Sequence, residues 1–167
     1  SVLILEEGIR TNNLLLSMPA GWIKGLENSP FLKFYESIPQ KQLNNRQHFI
    51  AQAKTLGGGS KVNGMVYMRG VPIDYDRWRQ MGLPGWSFSE LLPYFKRSEG
   101  SSHRDDSYHG KHGPLKTETA HNYGEFDEAF IKASMKIGHK YLDDFNGPER
   151  TGVSRVDSTV FKGIRQS

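Results

Sequence analysis

The chain has 167 residues, with 22 Lys or Arg against 18 Asp or Glu, which gives a formal net charge of +4. This length supports one average domain with a hydrophobic core. No three basic residues are consecutive, so the concentrated positive charge of a nucleic-acid-binding surface is missing. The mean hydropathy of −0.61 and the lack of a long apolar run exclude a transmembrane helix. Cysteine is absent, which excludes disulfides and thiolate metal sites.

The chain begins with a continuous apolar run at residues 2–5, followed by Glu6, Glu7 and Gly8. Such a run predicts a strand buried on both faces of a parallel α/β sheet. Ligands collect at the carboxyl ends of these strands, where an acid commonly binds the ribose of a dinucleotide, and Glu6 occupies that position. Because the strand starts without an initiator Met, we expect an internal segment of a longer protein.

Residues 9–50 lack a clear hydrophobic period and are interrupted by Pro19, Pro30 and Pro39. Prolines at such spacing interrupt regular structure. This part of the chain is therefore predicted to consist of irregular connections with short elements.

Two helices are predicted from their end signals. Pro72 suits the first turn of a helix over residues 71–82, which Gly82 can end. The sequence Ser-Phe-Ser-Glu at residues 87–90 forms a capping box for a second helix. Pro93 is expected to break or kink this second helix, because proline removes a backbone N–H and clashes with the preceding turn.

The second half of the chain begins with a polar stretch. Residues 100–113 are predicted to form a surface loop and a domain boundary. Apolar residues then recur at helical spacing and indicate an amphipathic helix. They are Phe126, Phe130, Ala133 and Ile137. Residues 153–161 are rich in β-branched side chains, which favours a strand.

The strongest local feature is a glycine-rich segment. It reads Ala53-Lys54-Thr55-Leu56-Gly57-Gly58-Gly59-Ser60-Lys61-Val62-Asn63-Gly64-Met65. Three successive glycines let a ligand approach the backbone and let successive N–H groups converge on an anion, although a flexible turn explains them equally well. The segment matches neither a Walker loop nor the dinucleotide pattern Gly-x-Gly-x-x-Gly, and a Gly-x-Ser-x-Gly hydrolase elbow is also absent.

This segment, followed by Tyr67, Gly70 and Asp76, resembles the first sequence motif of the glucose-methanol-choline (GMC) flavoprotein oxidoreductases. Further stretches are similar to the family, occur in family order and extend over essentially the whole chain. They are Leu5-Glu6-x-Gly8, Tyr35-x-x-x-Pro39-Gln40, Met65-Val66-Tyr67-x-Arg69-Gly70, Asp74-Tyr75-Asp76-x-Trp78, Gly85-Trp86-Ser87-Phe88, Leu92-Pro93-Tyr94-Phe95-Lys96-Arg97-Ser98-Glu99 and Tyr108-His109-Gly110-x-x-Gly113-Pro114-Leu115. Two more resemble the alcohol and choline dehydrogenase branch, Asp143-Asp144-Phe145-Asn146-Gly147 and Gly163-x-Arg165-x-Ser167.

The resemblance implies an α/β fold with FAD as the cofactor. Residues 1–100 would belong to a partial Rossmann-like FAD-binding domain, whose first strand and glycine fingerprint are expected upstream of Ser1. Residues 101–167 would begin an α+β substrate-binding domain. The residues that the resemblance assigns to FAD binding are Glu6, Thr55, Gly57, Gly58, Gly59, Ser60, Asn63, Gly64, Met65 and Val66.

The family's chemistry implies oxidation of a primary alcohol to an aldehyde, with hydride passing to the flavin. The expected partners are a small-molecule alcohol and an electron acceptor, which is oxygen, a quinone or another compound. The family's catalytic histidine lies outside this chain, so no catalytic residue is assigned and the chain alone is expected to be inactive. The unassigned histidines are His48, His103, His109, His112, His121 and His139.

Two alternatives remain open from the sequence. A hydroxynitrile lyase uses the same flavin scaffold without net oxidation. The other alternative is a non-catalytic fragment or a metal-binding module. Metal binding is suggested by a cluster of imidazoles and carboxylates, although a solvated loop is the preferred interpretation. This cluster contains His103, Asp105, Asp106, His109 and His112. The cellular compartment is left open, with the cytoplasm favoured.

Overall fold

A computed structural model describes residues 1–21, 23–24, 30–119 and 124–167. The chain divides into two compact units. The first unit comprises Ser1–Met65 with Lys162–Ser167, and the second comprises Val66–Phe161. Among the described residues, no helix combines the length and apolar character needed to cross a bilayer.

Four α-helices and eight short strands make up the regular structure of the described residues. The helices are α1 (Leu14–Ser17), α2 (Pro72–Gln80), α3 (Phe88–Ser98) and α4 (Glu125–Lys136). The strands are β1 (Leu32–Glu36), β2 (Phe49–Ala53), β3 (Val66–Tyr67), β4 (Glu99–Ser101), β5 (Leu115–Thr119), β6 (Asp157–Ser158), β7 (Val160–Phe161) and β8 (Ile164–Arg165). Three short 3₁₀ turns cover Pro19–Gly21, Lys41–Leu43 and Gly58–Lys61.

The main element of the first unit is an antiparallel hairpin of β1 and β2, with Leu32 opposite Ala53 and Glu36 opposite Phe49. The sequence predicted only irregular connections with short elements here. The hairpin is hard to predict because its connection is long rather than a two-residue turn with a recognisable signal. Within that connection, Asn44 and Asn45 have left-handed φ angles of 56° and 58°.

The prediction of a buried strand at residues 2–5 is wrong for this structure. The side chains of Val2, Leu3, Ile4 and Leu5 are 91%, 82%, 77% and 87% exposed, and this run has no strand assignment. A strand requires backbone partners on a neighbouring strand, and no described residue supplies them to this run. An apolar run shows which side chains favour burial. Which segment covers them is decided by the tertiary structure.

The second unit is built on a four-stranded sheet in the order β3-β6-β5-β4. Strands β4 and β5 are parallel, with Glu99 opposite Leu115, while β6 pairs antiparallel to both of its neighbours. Next to the sheet in sequence, α2 and α3 are joined by aromatic contacts. The ring of Tyr75 in α2 lies 6.0 Å from that of Phe88 and 5.6 Å from that of Phe95, both in α3.

The predicted ends of α2 and the start of α3 are confirmed. Pro72 lies in the first turn of α2, and Gly82 adopts the left-handed φ of 97° just after it ends. Ser87 caps α3 in a complete capping box with Glu90. Pro93 was expected to break or kink α3. The break is wrong, because α3 continues to Ser98, and the kink stays a prediction. Proline removes only one backbone hydrogen bond of the helix, and α3 is also held by the contacts of Phe88 and Phe95 with Tyr75 in α2.

The polar stretch 100–113 is only partly the surface loop that was predicted. Ser101 belongs to the buried strand β4, and His109 and Gly110 are also buried. Helix α4 forms as predicted, but its apolar stripe is solvent-exposed, with Phe126 92% and Phe130 68% accessible. Within 153–161 only the short strands β6 and β7 form. The predicted boundary near residue 100 separates an FAD-binding part from a substrate-binding part. It stays a prediction.

Candidate cofactor-binding site

The glycine-rich segment forms a tight turn in the first unit. Gly57 and Gly58 have left-handed φ angles of 100° and 57°, which side chains rarely adopt, and the N–H of Gly58 donates to the Thr55 carbonyl over 2.8 Å. A Cβ atom added at Gly58, Gly59 or Gly64 would meet no atom within 4 Å. The backbone at these three positions is therefore open to close approach by a ligand.

Side chains of the same segment stabilise this turn from within. The Ser60 hydroxyl donates to the Gly57 carbonyl over 2.7 Å. The amide oxygen of Asn63 accepts from the N–H of Met65 over 3.0 Å. Met65 is buried and has a left-handed φ of 63°, which is uncommon for a residue with a side chain. Ser60 and Asn63 thus shape the backbone here.

The chain that follows Glu6 packs against the start of the glycine segment. Ile9 and Thr55 form a parallel bridge, and the fully buried hydroxyl of Thr55 donates to the Ile9 carbonyl over 2.8 Å. A Cβ at Gly8 would lie 2.1 Å from the carbonyl carbon of Lys54, so only glycine fits there. The exposed carboxylate of Glu6 accepts from the N–H of Gly8 over 2.6 Å.

Between these two parts of the first unit lies an open cleft of about 280 Å³. Two cations, Arg10 and Lys61, line the cleft, and no described residue contributes an acidic side chain to it. The other lining residues are Thr11, Asn12, Leu56, Gly57 and Ser167. Two cations beside polar groups and open backbone form a suitable environment for an anionic group such as a phosphate.

Arg165 in β8 connects three parts of the first unit from its interior. Its side chain donates to the carbonyls of Leu16, Ser60 and Asn63 over 2.8, 3.0 and 2.9 Å, and also to the Asn63 amide oxygen. The residue is 4% exposed, and burial lowers the pKa of its guanidinium. In the sequence, Arg165 stands in the family-like motif Gly163-x-Arg165-x-Ser167, with no role assigned to it. That motif was the only available signal.

Most of the predicted cofactor residues lie in the first unit. Glu6, Thr55, Gly57, Gly58, Gly59, Ser60, Asn63, Gly64 and Met65 belong to that unit, whereas Val66 begins β3 of the second. Their roles in FAD binding stay predictions. The compact geometry of residues 55–65 is compatible with one shared ligand.

A separate, buried ionic cluster occupies the second unit. Glu99 is fully buried and accepts from Arg69 over 2.6 Å and from a ring nitrogen of His109 over 2.8 Å. The other ring nitrogen of His109 lies 2.8 Å from Asp144. Burial alone would lower the pKa of His109, but the hydrogen bonds to Asp144 and Glu99 outweigh it and raise the pKa from 6.5 to about 9.

These contacts argue against the metal-binding alternative. Both ring nitrogens of His109 are occupied by carboxylates, His103 lies against Asp157, and the carboxylate of Asp105 caps the N–H of Ser107. In the parts of the chain that the structure describes, no group of three or more metal-ligating side chains is present. His121 lies outside the described residues.

Comparison with known proteins identifies relatives over the whole chain. The model of a family described as GMC oxidoreductase matches residues 3–167. An oxygen-dependent choline dehydrogenase of Sinorhizobium fredii is 36% identical over 167 residues, which are 100% of this chain and 30% of that protein. A protein of the same name from Photobacterium profundum is 36% identical over 168 residues, with coverage of 99% and 30%.

Solved structures agree with this result. Pyridoxine 4-oxidase from Mesorbium loti superposes with a TM-score of 0.88 at 30% identity, covering 96% of this chain and 32% of that one. An FAD-dependent oxidoreductase from Chaetomium thermophilum has a TM-score of 0.84 at 30% identity, with coverage of 96% and 29%. The chain thus spans about 30% of the length of the curated relatives that it matches.

The comparisons confirm three expectations drawn from the sequence at the level of the family. They are the GMC resemblance, the mixed α/β fold of an FAD-binding domain, and FAD as the cofactor class.

Proposed function

The chain belongs to the GMC oxidoreductase family, and we propose on this premise that it forms part of an FAD-dependent enzyme that oxidises a primary alcohol to an aldehyde. The observation that carries the proposal is the glycine segment of the first unit. Its backbone is open at Gly58 and Gly59, beside a cleft lined by Arg10 and Lys61. FAD contains a charged diphosphate and flat ring systems. Arg10 and Lys61 suit the negative charge of the diphosphate, and the open backbone at Gly58 and Gly59 suits close approach by the ligand.

The residues present fit FAD in charge and in shape. Arg10 and Lys61 would balance the negative charges of the diphosphate, while Gly58 and Gly59 would let it reach the backbone. Glu6 would accept hydrogen bonds from the ribose hydroxyls. When bound, FAD supplies the hydride acceptor that protein side chains lack.

The remaining assignments of the sequence analysis are part of this proposal. Thr55, Ser60 and Asn63 would hold the shape of the segment, and Gly64, Met65 and Val66 would border the flavin. The boundary near residue 100 would separate the FAD-binding portion from the substrate-binding portion. The base that accepts the alcohol proton is assigned to no residue of this chain.

We infer that the substrate is a small-molecule alcohol. The names of the relatives mention choline and pyridoxine, and both of these compounds carry a primary alcohol. An electron acceptor must then reoxidise the flavin, and oxygen, quinones and other acceptors are the candidates for direct assay.

The test compares two glycine substitutions in the protein encoded by the complete gene. Gly59→Ala fills open space at the proposed site, and we expect it to raise the FAD dissociation constant by about 10-fold or more, which is about 1.4 kcal/mol. Gly124→Ala is the matched control, because its methyl group would make only an ordinary 3.8 Å contact with Asp127 in the second unit. FAD affinity is measured by quenching of flavin fluorescence, and stability by urea unfolding.

Several outcomes would refute the proposal. Absence of bound flavin in the purified protein removes its premise, and equal FAD affinity in both variants removes the role of the glycine segment. For the reaction, primary alcohols are added without oxygen and the flavin absorbance is followed. Bleaching supports oxidation, whereas turnover of a hydroxynitrile without bleaching supports the lyase alternative.

A further inference from the structure

Burying the charged side chain of Arg165 inside the first unit is energetically unfavourable. It is 4% exposed, and it forms no ion pair with any acid among the described residues. Its Nη2 atom is buried without a hydrogen-bond partner there. Burial of a charge without a countercharge costs several kcal/mol in real proteins, even after relaxation.

The hydrogen bonds of Arg165 do not by themselves require a charged donor. They join neutral acceptors, three carbonyls and one side-chain amide, which a neutral donor could serve without burying a charge. Departures from such local rules concentrate at functional sites. The positive charge of Arg165 would be compensated when an anionic ligand binds nearby.

Two of the carbonyls that accept from Arg165, those of Ser60 and Asn63, lie in the glycine segment. Ser60 lies in the 3₁₀ turn Gly58–Lys61, and Asn63 directly precedes Gly64. In a trans peptide the N–H of the next residue points opposite to the carbonyl. With the Asn63 carbonyl drawn toward the guanidinium, the N–H of Gly64 is directed away from it, and Gly64 has open space where a Cβ would stand. The Ser60 carbonyl that Arg165 also holds belongs to the 3₁₀ turn, which fixes the position of that turn.

We propose that Arg165 is a positioning residue for an anionic dinucleotide at the glycine segment. It orients the peptide groups after Ser60 and Asn63, and its uncompensated charge strengthens the attraction of the segment for a diphosphate. This inference rests on the proposed function, because it takes FAD as the ligand. The guanidinium acts through the backbone that it holds.

The test uses two substitutions of Arg165 in the protein encoded by the complete gene, with FAD as the probe. Arg165→Gln removes the charge and most of the hydrogen bonds, and Arg165→Lys keeps the charge but cannot hold separate carbonyls in one planar fork. A hydrogen bond to a charged group contributes about 1.5–3 kcal/mol, so the FAD dissociation constant should rise by about 100-fold in the Gln variant and about 10-fold in the Lys variant.

Arg150→Gln is the matched control. Arg150 also donates to backbone carbonyls, those of Arg69 and Gly70 over 3.1 and 2.6 Å, and burial likewise lowers its pKa, but it lies in the second unit. We expect this variant to lose stability in urea while its folded form keeps the FAD dissociation constant of the unmodified protein. A purely structural role for Arg165 would give the same pattern in its own variants.

Two further readouts separate positioning from stability. The slope of FAD affinity against salt concentration should decrease in Arg165→Gln and persist in Arg165→Lys, because only the first removes a charge. The circular dichroism of bound flavin should change in both. If Arg165→Gln does not fold, unchanged FAD affinity and unchanged flavin dichroism in Arg165→Lys overturn the inference.

Failure of the inference is distinguishable from failure of the proposed function. An unmodified protein that binds no FAD refutes the proposed function. An unmodified protein that binds FAD, together with Arg165 variants whose affinity matches that of Arg150→Gln, refutes only the role of Arg165.

Discussion

Alkaline pH should destabilise the second unit through a single buried histidine. His109 is 1% exposed and lies between the carboxylates of Glu99 and Asp144, which raise its pKa from 6.5 to about 9 against the opposing effect of burial. The folded state therefore keeps a proton that the unfolded chain releases. This stabilisation is fully present below pH 6.5 and is lost as the pH rises through about 9.

The magnitude follows from the difference between the two pKa values. One pKa unit corresponds to about 1.4 kcal/mol, so the contribution of His109 is about 3 kcal/mol. A typical domain has about 5–15 kcal/mol of stability in total. With a urea dependence of about 1–3 kcal/mol per molar, the unfolding midpoint should fall by about 1–3 M between neutral and alkaline pH.

The assay is urea unfolding followed by tryptophan fluorescence, since Trp78 and Trp86 both lie in the second unit. His109→Gln should remove most of the pH dependence between pH 6.5 and about 9. His139→Gln, at an exposed position, is the matched control and should retain it. A His109→Gln variant whose midpoint follows the pH as the unmodified protein does would refute the reasoning.

Three further substitutions test the contacts described above. Glu99→Gln leaves Arg69 without its buried partner and should cost about 3–5 kcal/mol in urea unfolding, and a loss below 1 kcal/mol, the level of an exposed pair, would contradict that burial. Gly8→Ala forces a methyl group onto the Lys54 backbone and should cost about 3 kcal/mol, whereas unchanged stability would mean that this close approach is absent. Ser87→Ala removes the cap of α3 and should cost about 1 kcal/mol, with Ser87→Asn restoring most of it; an Asn variant as unstable as the Ala variant would argue against capping.

Local chemistry made several elements predictable from the sequence. The start of α3 was predicted because Ser87 and Glu90 satisfy backbone groups within one helical turn, and α2 because Pro72 and Gly82 act on their own backbone angles. The glycine segment was recognised for the same reason, since the absence of side chains is a local property. The family was likewise identified from the order of such short stretches.

Tertiary structure decided the features whose partners are distant in sequence. His109 looked like part of a polar loop, but Glu99 and Asp144 enclose it from 10 and 35 residues away. Arg165 reaches Ser60 and Leu16 across 105 and 149 residues. Burial and charge compensation depend on which distant groups the folded chain brings together. For that reason the apolar run at residues 2–5 was predicted to be buried and is exposed, and the contacts of Arg165 became visible only in the structure.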